Sequence, residues 1–371
     1  MPAPPPNTRT KDDEGLPDLP RKGRGSVSNR PSHRFELADR YEIDDGWSDH
    51  DREEWAKARR QTILGVDTVR HIITRNTSPD IHFDRSINPY KGCEHGCIYC
   101  FARPTHAYLD LSPGMDFETR IFRKPDAAEA LRQELSAHNY TPAPIALGIN
   151  TDAYQPTERS EKLTRGILQV LYEFRHPVHI VTKSALIQRD IDILGPMAEL
   201  DLFKATLSVT TLDRDLARVM EPRAATPSRR LDTVRALTDA GIPASVLMAP
   251  IIPGLTDHEI EKIMEAAAMA GATRAGGALI RLPHEVKVLF EEWLRTHFPD
   301  RADKVLNHIR ECRGGKLYNA EFGSRMRGTG VYADLIQNRL KLAIKRYGLD
   351  KPSRPLDSSR FRGGDPQMSL F

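Results

Sequence analysis

Residues 86–104 read SINPYKGCEHGCIYCFARP and carry Cys93, Cys97 and Cys100 in the spacing C-x3-C-x2-C. An aromatic residue, Tyr99, directly precedes the last of these cysteines. Cysteine thiolates are the normal ligands of iron–sulfur clusters. Because three cysteines leave one iron of a four-iron cluster without a protein ligand, the stretch predicts a cluster with an open iron site.

Zinc is the alternative occupant of this motif. Zinc normally takes four ligands, so His95 or Cys312 would have to complete such a site. The chain has only four cysteines, three of them close together. A disulfide-stapled secreted protein would use more cysteines and spread them out, so the pattern favours metal or cluster binding in a reducing compartment.

From about residue 85, short apolar runs rich in β-branched residues alternate with helical periodicity. The predicted strands are Ile87–Tyr90, Ile145–Ile149, Val178–Thr182, Ala205–Val209, Ala244–Ala249 and Ala278–Ile280. The predicted helices between and after them are Ala127–His138, Arg159–Phe174, Ile187–Glu199, Asp213–Met220, Arg229–Ala240 and His258–Ala270. Six strand–helix units predict an α/β fold, a partial parallel (β/α)6 barrel with its helices outside.

Composition divides the rest of the chain. Residues 1–35 are rich in proline and charge and are predicted to be disordered, since they bury too little apolar surface to offset ordering. Residues 36–84 are predicted to form an N-terminal extension that packs Trp47 and Trp55 on the core, and residues 85–285 form the core barrel. A helical extension over 286–350 is predicted to contain the helices Val286–His297, Ala302–Glu311 and Val331–Tyr347. Residues 351–371 are predicted to form a flexible basic tail.

At the cysteine motif the sequence resembles the radical S-adenosylmethionine (radical SAM) superfamily, whose cluster motif includes the aromatic residue found here as Tyr99. Over about residues 60–335 it is more widely similar to the spore photoproduct lyase-related group, often described as DNA repair photolyases. The stretches that carry this similarity are RNTSPDIHFDRSINPYKGCEHGCIYCFARPTHAY, GINTDAYQPTE, IVTKSALIQRDIDIL, SVTTLD, MEPR and APIIPGLTD.

The resemblance implies a [4Fe-4S] cluster whose open iron chelates the amino and carboxylate groups of S-adenosyl-L-methionine. One electron then cleaves the sulfonium and gives a 5′-deoxyadenosyl radical, so the chemistry belongs to the cofactor and the protein orients it. The resemblance also implies a small electron-donor protein such as flavodoxin or ferredoxin.

Other candidate site residues follow the predicted strands, because function collects at the carboxyl ends of barrel strands. Candidates for binding the cofactor are Tyr99, Asn150, Thr151, Asp152, Lys183 and Ser208. Lys183 is a donor directly after an apolar strand, and the TKS stretch around it resembles a cofactor-binding segment of the lyase. It is the candidate for binding the carboxylate of S-adenosylmethionine. The alternative for Lys183 is a surface lysine that caps the following helix. The alternative for Asn150, Thr151, Asp152 and Ser208 is a helix N-cap or a tight turn. Arg281 follows the sixth strand and points at the same mouth.

Two further sequence features concern the same mouth. Glu221 and Arg223 in MEPR are predicted to form either a buried ion pair or a surface pair of little energy. Spore photoproduct lyases use a cysteine after the second strand to return a hydrogen atom, but the corresponding stretch here, GINTDAY, has none. Because Cys312 is the one spare thiol, reversal of a thymine dimer is not implied.

The C-terminal part is basic. Residues 339–371 hold eight Lys/Arg and three Asp/Glu, which suits either a nucleic-acid contact or a solvated tail. Residues 310–330 mix arginine, aromatic residues and glycine, as in a nucleic-acid surface or a loop covering the barrel. Gln367–Phe371 resembles the short peptide that docks bacterial proteins on the sliding clamp.

These features together indicate a radical SAM enzyme acting on a nucleic acid. The sequence has no apolar run long enough to span a membrane, and a cytoplasmic location is predicted. The catalytic residues beyond the cluster motif stay unassigned. Two alternatives are open: modification of a protein or small metabolite, and a clamp-tethered iron–sulfur module that binds nucleic acid without turnover. The substrate rests on the resemblance and the basic tail, not on the cluster motif.

Overall fold

The computed structural model describes residues 20–30, 32, 34 and 61–363. Ten strands lie within them: β1 Ile63–Val66, β2 Ile73–Arg75, β3 Arg85–Ile87, β4 Tyr90–Lys91, β5 Arg120–Arg123, β6 Ile145–Leu147, β7 Val178–Thr182, β8 Phe203–Ser208, β9 Ala244–Ile251 and β10 Arg274–Leu279. The main sheet has seven strands in the order β10-β9-β8-β7-β6-β3-β2, and β1-β5-β4 form a second sheet.

Eleven α-helices lie within the same residues: α1 Asp116–Thr119, α2 Ala127–Ser136, α3 Glu158–Glu161, α4 Leu163–Glu173, α5 Ile191–Glu199, α6 Arg214–Met220, α7 Pro227–Asp239, α8 Ile260–Met269, α9 Val286–His297, α10 Pro299–Glu311 and α11 Val331–Arg346. None of these helices combines the length and apolar character that a bilayer span needs.

Six strands of the main sheet, β3 and β6 to β10, are parallel and lie in chain order. Each strand returns beside its predecessor through helical segments, as in a (β/α) barrel. β2 adds an antiparallel edge beside β3, and β10 forms the opposite edge. The predicted α/β fold with a partial parallel barrel is confirmed, and all six parallel strands direct their carboxyl ends to one face.

Packing explains why these segments form strands. Val178, Ile180 and Thr182 of β7 are buried and alternate with half-buried neighbours, so one face of the strand meets the main core. The core continues through the buried faces of the surrounding helices, such as Ile167, Leu168 and Leu171 of α4. β7 and α9 keep the bounds predicted from their periodicity.

Two predicted elements are divided in the structure. The predicted first strand ends at Ile87, and Tyr90 joins the second sheet, because Pro89 has no N–H to continue the ladder. The predicted helix Arg159–Phe174 breaks at Lys162, whose φ of +55° is left-handed. The break lets the buried Glu158 carboxylate accept the backbone N–H of Thr164, which starts the second helix.

The prediction of a disordered tail over 1–35 is wrong for residues 20–30. Ser26, Val27 and Ser28 in this segment are buried. Gly25 lies against Gly96 in the loop that holds the cysteines, and Arg24 donates to the carbonyl of Glu118 in α1. The segment is held by backbone donors and small side chains, which composition does not reveal. Trp47 and Trp55 lie outside the described residues.

The prediction of a flexible tail from residue 351 is wrong as far as residue 363. The backbone N–H of Asp357 donates to Asp201, and that of Arg362 donates to Phe174. Between them the Phe361 ring packs 5.5 Å from the rings of Tyr140 and His176. The chain is thereby fastened across the ends of α4 and β7, while Gln367–Phe371 lies outside the described residues.

Replacing Phe361 with alanine tests this fastening. The loss of its contacts with Tyr140, Phe174 and His176 is expected to lower the free energy of unfolding by about 1–3 kcal/mol. Denaturant unfolding followed by circular dichroism measures the loss. Met269→Ala, an apolar side chain that is 76% exposed, is the control. Equal midpoints for both variants would mean that the segment contributes nothing to stability.

Candidate cluster and cofactor site

The three cysteines of the motif lie on the loop that leaves β3 at the carboxyl face of the sheet. Cys93 and Cys97 are buried, Cys100 is half-buried, and all are free thiols. The loop turns at Gly92 and Gly96, whose φ values of +79° and +68° favour glycine. A Cβ on Gly96 would lie 2.9 Å from the Glu118 carboxylate, so the turn is closely packed.

Arg103, three residues after the last cysteine, holds this loop from inside. Its side chain is fully buried and pairs with Glu118 at 2.6 Å, and Glu118 is equally buried. The guanidinium also donates to the carbonyls of Gly96 and Cys97 in the cysteine loop, and to those of Pro113 and Gly114. A guanidinium has five N–H donors, and here they join the loop to the segment before α1.

The N-terminal segment closes over the same carboxylate. The backbone N–H groups of Gly25 and Ser26 donate to the Glu118 carboxylate at 3.0 and 2.8 Å. Arg24 donates to the Glu118 carbonyl at 2.9 Å. A Cβ on Gly25 would lie 1.8 Å from the carbonyl oxygen of Gly96, so only glycine permits this approach. We call residues 24–28 the strap.

The loop after β6 is tied to the cysteine loop by two buried amides. Gln155 accepts the backbone N–H of Glu94 at 2.8 Å and donates to the carbonyl of Gly92 at 3.2 Å. Asn88 accepts the backbone N–H of Asn150 at 2.8 Å. These bonds bring the loops after β3 and β6 together.

The Asp152 carboxylate, beside this contact, accepts several hydrogen bonds. It accepts from the Thr182 hydroxyl at 2.6 Å and from the Lys183 amide at 2.8 Å, and it lies 3.3 Å from the His95 ring. Burial alone would raise the pKa of Asp152, but His95 and these donors outweigh it and lower the pKa to about 2. The carboxylate is charged and fully engaged, so it positions the start of the loop after β7.

A second buried network holds Tyr99. Its hydroxyl donates to Glu221, which pairs with Arg230 of α7 and accepts from Thr210 at 2.8 Å. Arg230 also donates to the Ser208 carbonyl at the end of β8. The predicted pair of Glu221 with Arg223 is therefore wrong, because Arg223 extends to Glu94 at 2.7 Å. Glu221 instead fixes the aromatic ring of the motif.

Lys183 lies directly after β7, beside Tyr99. Its amine is 5.7 Å from the centre of the Tyr99 ring, and its charge acts on both Cys97 and Glu221. Within the described residues, no carboxylate lies within ion-pair distance of this amine. Lys183 thus presents a cation beside the cysteine loop.

The remaining predicted site residues lie at the same face with different surroundings. Thr151 is buried and its hydroxyl donates to the carbonyl of Tyr90 at 3.0 Å. Asn150 is exposed and is held by its backbone N–H. Ser208 is buried at the end of β8 beside Arg230. All the predicted cofactor residues therefore lie at the carboxyl face of the sheet. Among their polar groups, the Asn150 side chain and the Lys183 amine are the accessible ones.

The donor set fits an iron–sulfur cluster. Burial, together with the Glu221 charge, raises the pKa of Cys97 to about 12, and burial likewise raises the pKa of Cys93. Buried thiols of this kind ionise only against compensating positive charge, which a cluster's irons supply. No group of three His, Cys, Asp or Glu in the described residues surrounds a single-ion position. A cluster does not need one, since each cysteine binds a different iron.

A model of the Radical SAM superfamily matches residues 87–267. An uncharacterized protein of Mycobacterium tuberculosis is 33% identical over 275 residues, which are 74% of this chain and 77% of that protein. The chain belongs to the radical SAM superfamily. An uncharacterized protein of Methanocaldococcus jannaschii is 29% identical over 173 residues, covering 47% of this chain and 62% of that relative.

Solved structures match across most of the fold. Spore photoproduct lyase complexed with dinucleoside spore photoproduct aligns with a TM-score of 0.54 and 15% identity, over 76% of this chain and 79% of that one. A variant of that lyase with bound AdoMet and dinucleoside spore photoproduct aligns with a TM-score of 0.53 and 16% identity, over 76% and 78%. The likeness is one of fold. Family membership makes this chain a radical SAM enzyme that uses a [4Fe-4S] cluster and S-adenosylmethionine.

Sequence reasoning missed the residues that hold the loops. The sequence offered one indication of three of them: Arg103, Asn88 and Gln155 lie in the stretches that carry the family resemblance. Glu118 lies outside those stretches, so nothing in the sequence pointed to it. Only the fold brings it to Arg103 beside the cysteine motif.

Replacing Glu118 with glutamine is expected to loosen the cluster. The change keeps the shape of the side chain but leaves the Arg103 charge buried without its partner, which costs about 3–5 kcal/mol. The variant should bind less iron after anaerobic reconstitution and lose its cluster absorbance faster in air. Glu261→Gln, which removes a half-exposed pair with Arg339, is the matched control.

A second variant separates the strap from the buried pair. Gly25→Ala leaves Arg103 and Glu118 intact but forces the strap away from Gly96. Faster cluster loss in air is expected here too, because the strap covers the cysteine loop. Iron content and decay rates equal to those of Glu261→Gln in both variants would contradict the role assigned to Glu118 and the strap.

Proposed function

We propose that this radical SAM enzyme acts on a nucleic acid or nucleotide, in a radical reaction of the DNA-repair type. The observation that carries the proposal is the fold likeness to a lyase whose structure holds a dinucleoside photoproduct, over about three quarters of this chain. The basic charge of residues 339–371 adds support, since it suits a polyanionic substrate.

The proposed cofactor site uses this chain's residues as follows. When bound, the cluster supplies the electron that cleaves S-adenosylmethionine into methionine and a 5′-deoxyadenosyl radical. Lys183 would bind the methionine carboxylate, because its amine lies beside Tyr99 and Cys97 and no carboxylate of the described residues is within ion-pair distance. Asn150 would bind the amino group or the ribose. Asp152 would hold the Lys183 backbone in place through its amide.

Tyr99 and Ser208 would form the wall of the same site. Glu221 and Arg230 fix Tyr99 from behind, so its ring is a rigid surface for the flat part of the cofactor. Thr151 would shape the loop through its bond to Tyr90. A site of rigid, buried walls excludes water from the radical, which is what the chemistry requires of the protein.

The proposal does not include the cysteine-dependent reversal of a thymine dimer. The loop after β6 begins at Gly148, where a Cβ would lie 2.9 Å from the Ala153 nitrogen, and residues 148–152 contain no thiol. Cys312 is buried in the main core. We therefore propose that the product radical receives its hydrogen atom from a donor other than a cysteine of this loop.

Partners follow from the same proposal. A flavodoxin or ferredoxin would deliver the electron, since the chain has no further cysteine cluster in its sequence. Gln367–Phe371 would dock the enzyme on the bacterial sliding clamp, with Leu370 and Phe371 as apolar anchors. A cytoplasmic location suits both partners.

Product analysis tests the function. Anaerobically reconstituted, reduced protein is incubated with S-adenosylmethionine and a panel of damaged oligonucleotides, intact oligonucleotides, metabolites and peptides, and 5′-deoxyadenosine is measured by mass spectrometry. We expect 5′-deoxyadenosine to rise with an oligonucleotide. Cys97→Ala should make none. Lys183→Ala should raise the KM for S-adenosylmethionine about tenfold with the cluster absorbance retained, whereas Lys262→Ala on the outer helix α8 should not.

Each other outcome has a defined meaning. Stimulation by a metabolite or peptide alone would replace the nucleic-acid substrate with that class. A KM for Lys183→Ala equal to that of Lys262→Ala would remove Lys183 from the cofactor site. If no 5′-deoxyadenosine forms under any condition, the protein is better described as a binding module without turnover.

A further inference from the structure

Arg281, directly beyond β10, carries a charge that its surroundings do not satisfy. Its Nε is buried and has no hydrogen-bond partner within the described part of the chain. The hydrogen bond that its Nη1 makes is to the Met326 sulfur at 3.2 Å, a weak acceptor. No carboxylate in that part of the chain lies within ion-pair distance. Burying a charged donor without an acceptor costs free energy unless a ligand supplies one.

The two arginines nearest to it are fully engaged. Arg313 donates to the carbonyls of Leu279 and Ile280 at the end of β10, and to those of Ser324 and Arg325. Arg325 pairs with Asp80 and donates to Ser78. Within the described residues the nearby acidic group, Asp80, is already paired with Arg325. Arg281 therefore has no carboxylate partner in that part of the chain and is available to bind an anionic ligand.

An exposed aromatic ring lies beneath Arg281. Phe101 directly follows Cys100, its ring centre is 5.1 Å from the Arg281 guanidinium carbon, and 43% of the residue is exposed. A phenyl ring beside a buried loop, with one face covered by a guanidinium, offers its remaining surface for stacking. Phe322 repeats the arrangement under Arg325 at 4.5 Å and is 57% exposed.

We propose that Arg281 and Phe101 form a nucleotide-binding subsite at the rim of the cluster site. Arg281 binds a phosphate oxygen, and Phe101 stacks on an unpaired base. The inference rests on the proposed nucleic-acid function and narrows it to single-stranded or extruded nucleotides. A base inside a duplex has both faces covered, so it has none to offer Phe101.

Binding of a labelled oligonucleotide tests the subsite. Fluorescence anisotropy follows the binding of a fluorescein-labelled ten-residue oligothymidylate and, in parallel, of a labelled duplex to the reconstituted protein with S-adenosylmethionine. The titrations are done without oxygen over a range of salt concentrations. Arg281→Gln should weaken binding about tenfold and make the negative slope of log K against log salt shallower by about one, since one phosphate contact is lost. Phe101→Ala should weaken binding about tenfold with the slope unchanged, since stacking carries no charge.

The chain offers close controls. Tyr172 on α4 is 40% exposed, much like Phe101, so Tyr172→Ala matches the aromatic change. Arg235→Gln matches the charge change on the exposed face of α7. Iron content is measured for every variant because Phe101 adjoins Cys100. Arg281→Gln lies outside the cysteine loop and gives the decisive comparison if Phe101→Ala loses iron.

The outcomes separate this inference from the function it rests on. If the wild-type protein binds the oligonucleotide and both variants bind like their controls, the subsite is wrong while a nucleic-acid substrate stands. If the duplex binds more tightly than the single strand, the proposal that Phe101 stacks on an unpaired base is wrong. If the wild-type protein binds neither, both the subsite and the nucleic-acid substrate are overturned.

Discussion

The buried ion pair of Arg103 with Glu118 is the interaction on which the cysteine loop depends. Removing two charges from water is costly, and such a pair is tolerated only when every remaining donor and acceptor is satisfied. Here the guanidinium reaches four backbone carbonyls and the carboxylate accepts two strap amides. The pair therefore converts an irregular loop into a fixed one, and it explains why the strap closes over residues that hold a cluster.

In the rest of the site, too, some charged groups hold the protein's own loops in place while others are available to bind a ligand. Asp152 and Glu221 are buried carboxylates whose oxygens are used by the protein itself. They hold Lys183 and Tyr99, which border the open face. Charges that are paired inside the protein fix its geometry. Lys183 and Arg281 have no carboxylate partner among the residues that the structure describes, so their charges are available to ligands. This contrast separates positioning residues from candidate binding residues in this chain.

Much of the fold could be predicted because its signals are local. The alternation of buried residues that defines β7 and the helical periodicity of α9 both gave their bounds, and the spacing of Cys93, Cys97 and Cys100 indicated the cofactor. The strap could not be predicted, because it is held by backbone amides on a carboxylate more than ninety residues away. The same holds for Phe361, whose aromatic partners come from distant elements.

Three cysteines hold the cluster and leave one iron for S-adenosylmethionine. Electron paramagnetic resonance of the reduced, reconstituted protein, recorded with and without S-adenosylmethionine, tests whether this iron is open. We expect a four-iron signal whose g-values change when S-adenosylmethionine is added, because the cofactor binds the open iron. A spectrum that is identical with and without the cofactor would contradict it, since every iron would then already have its full set of ligands.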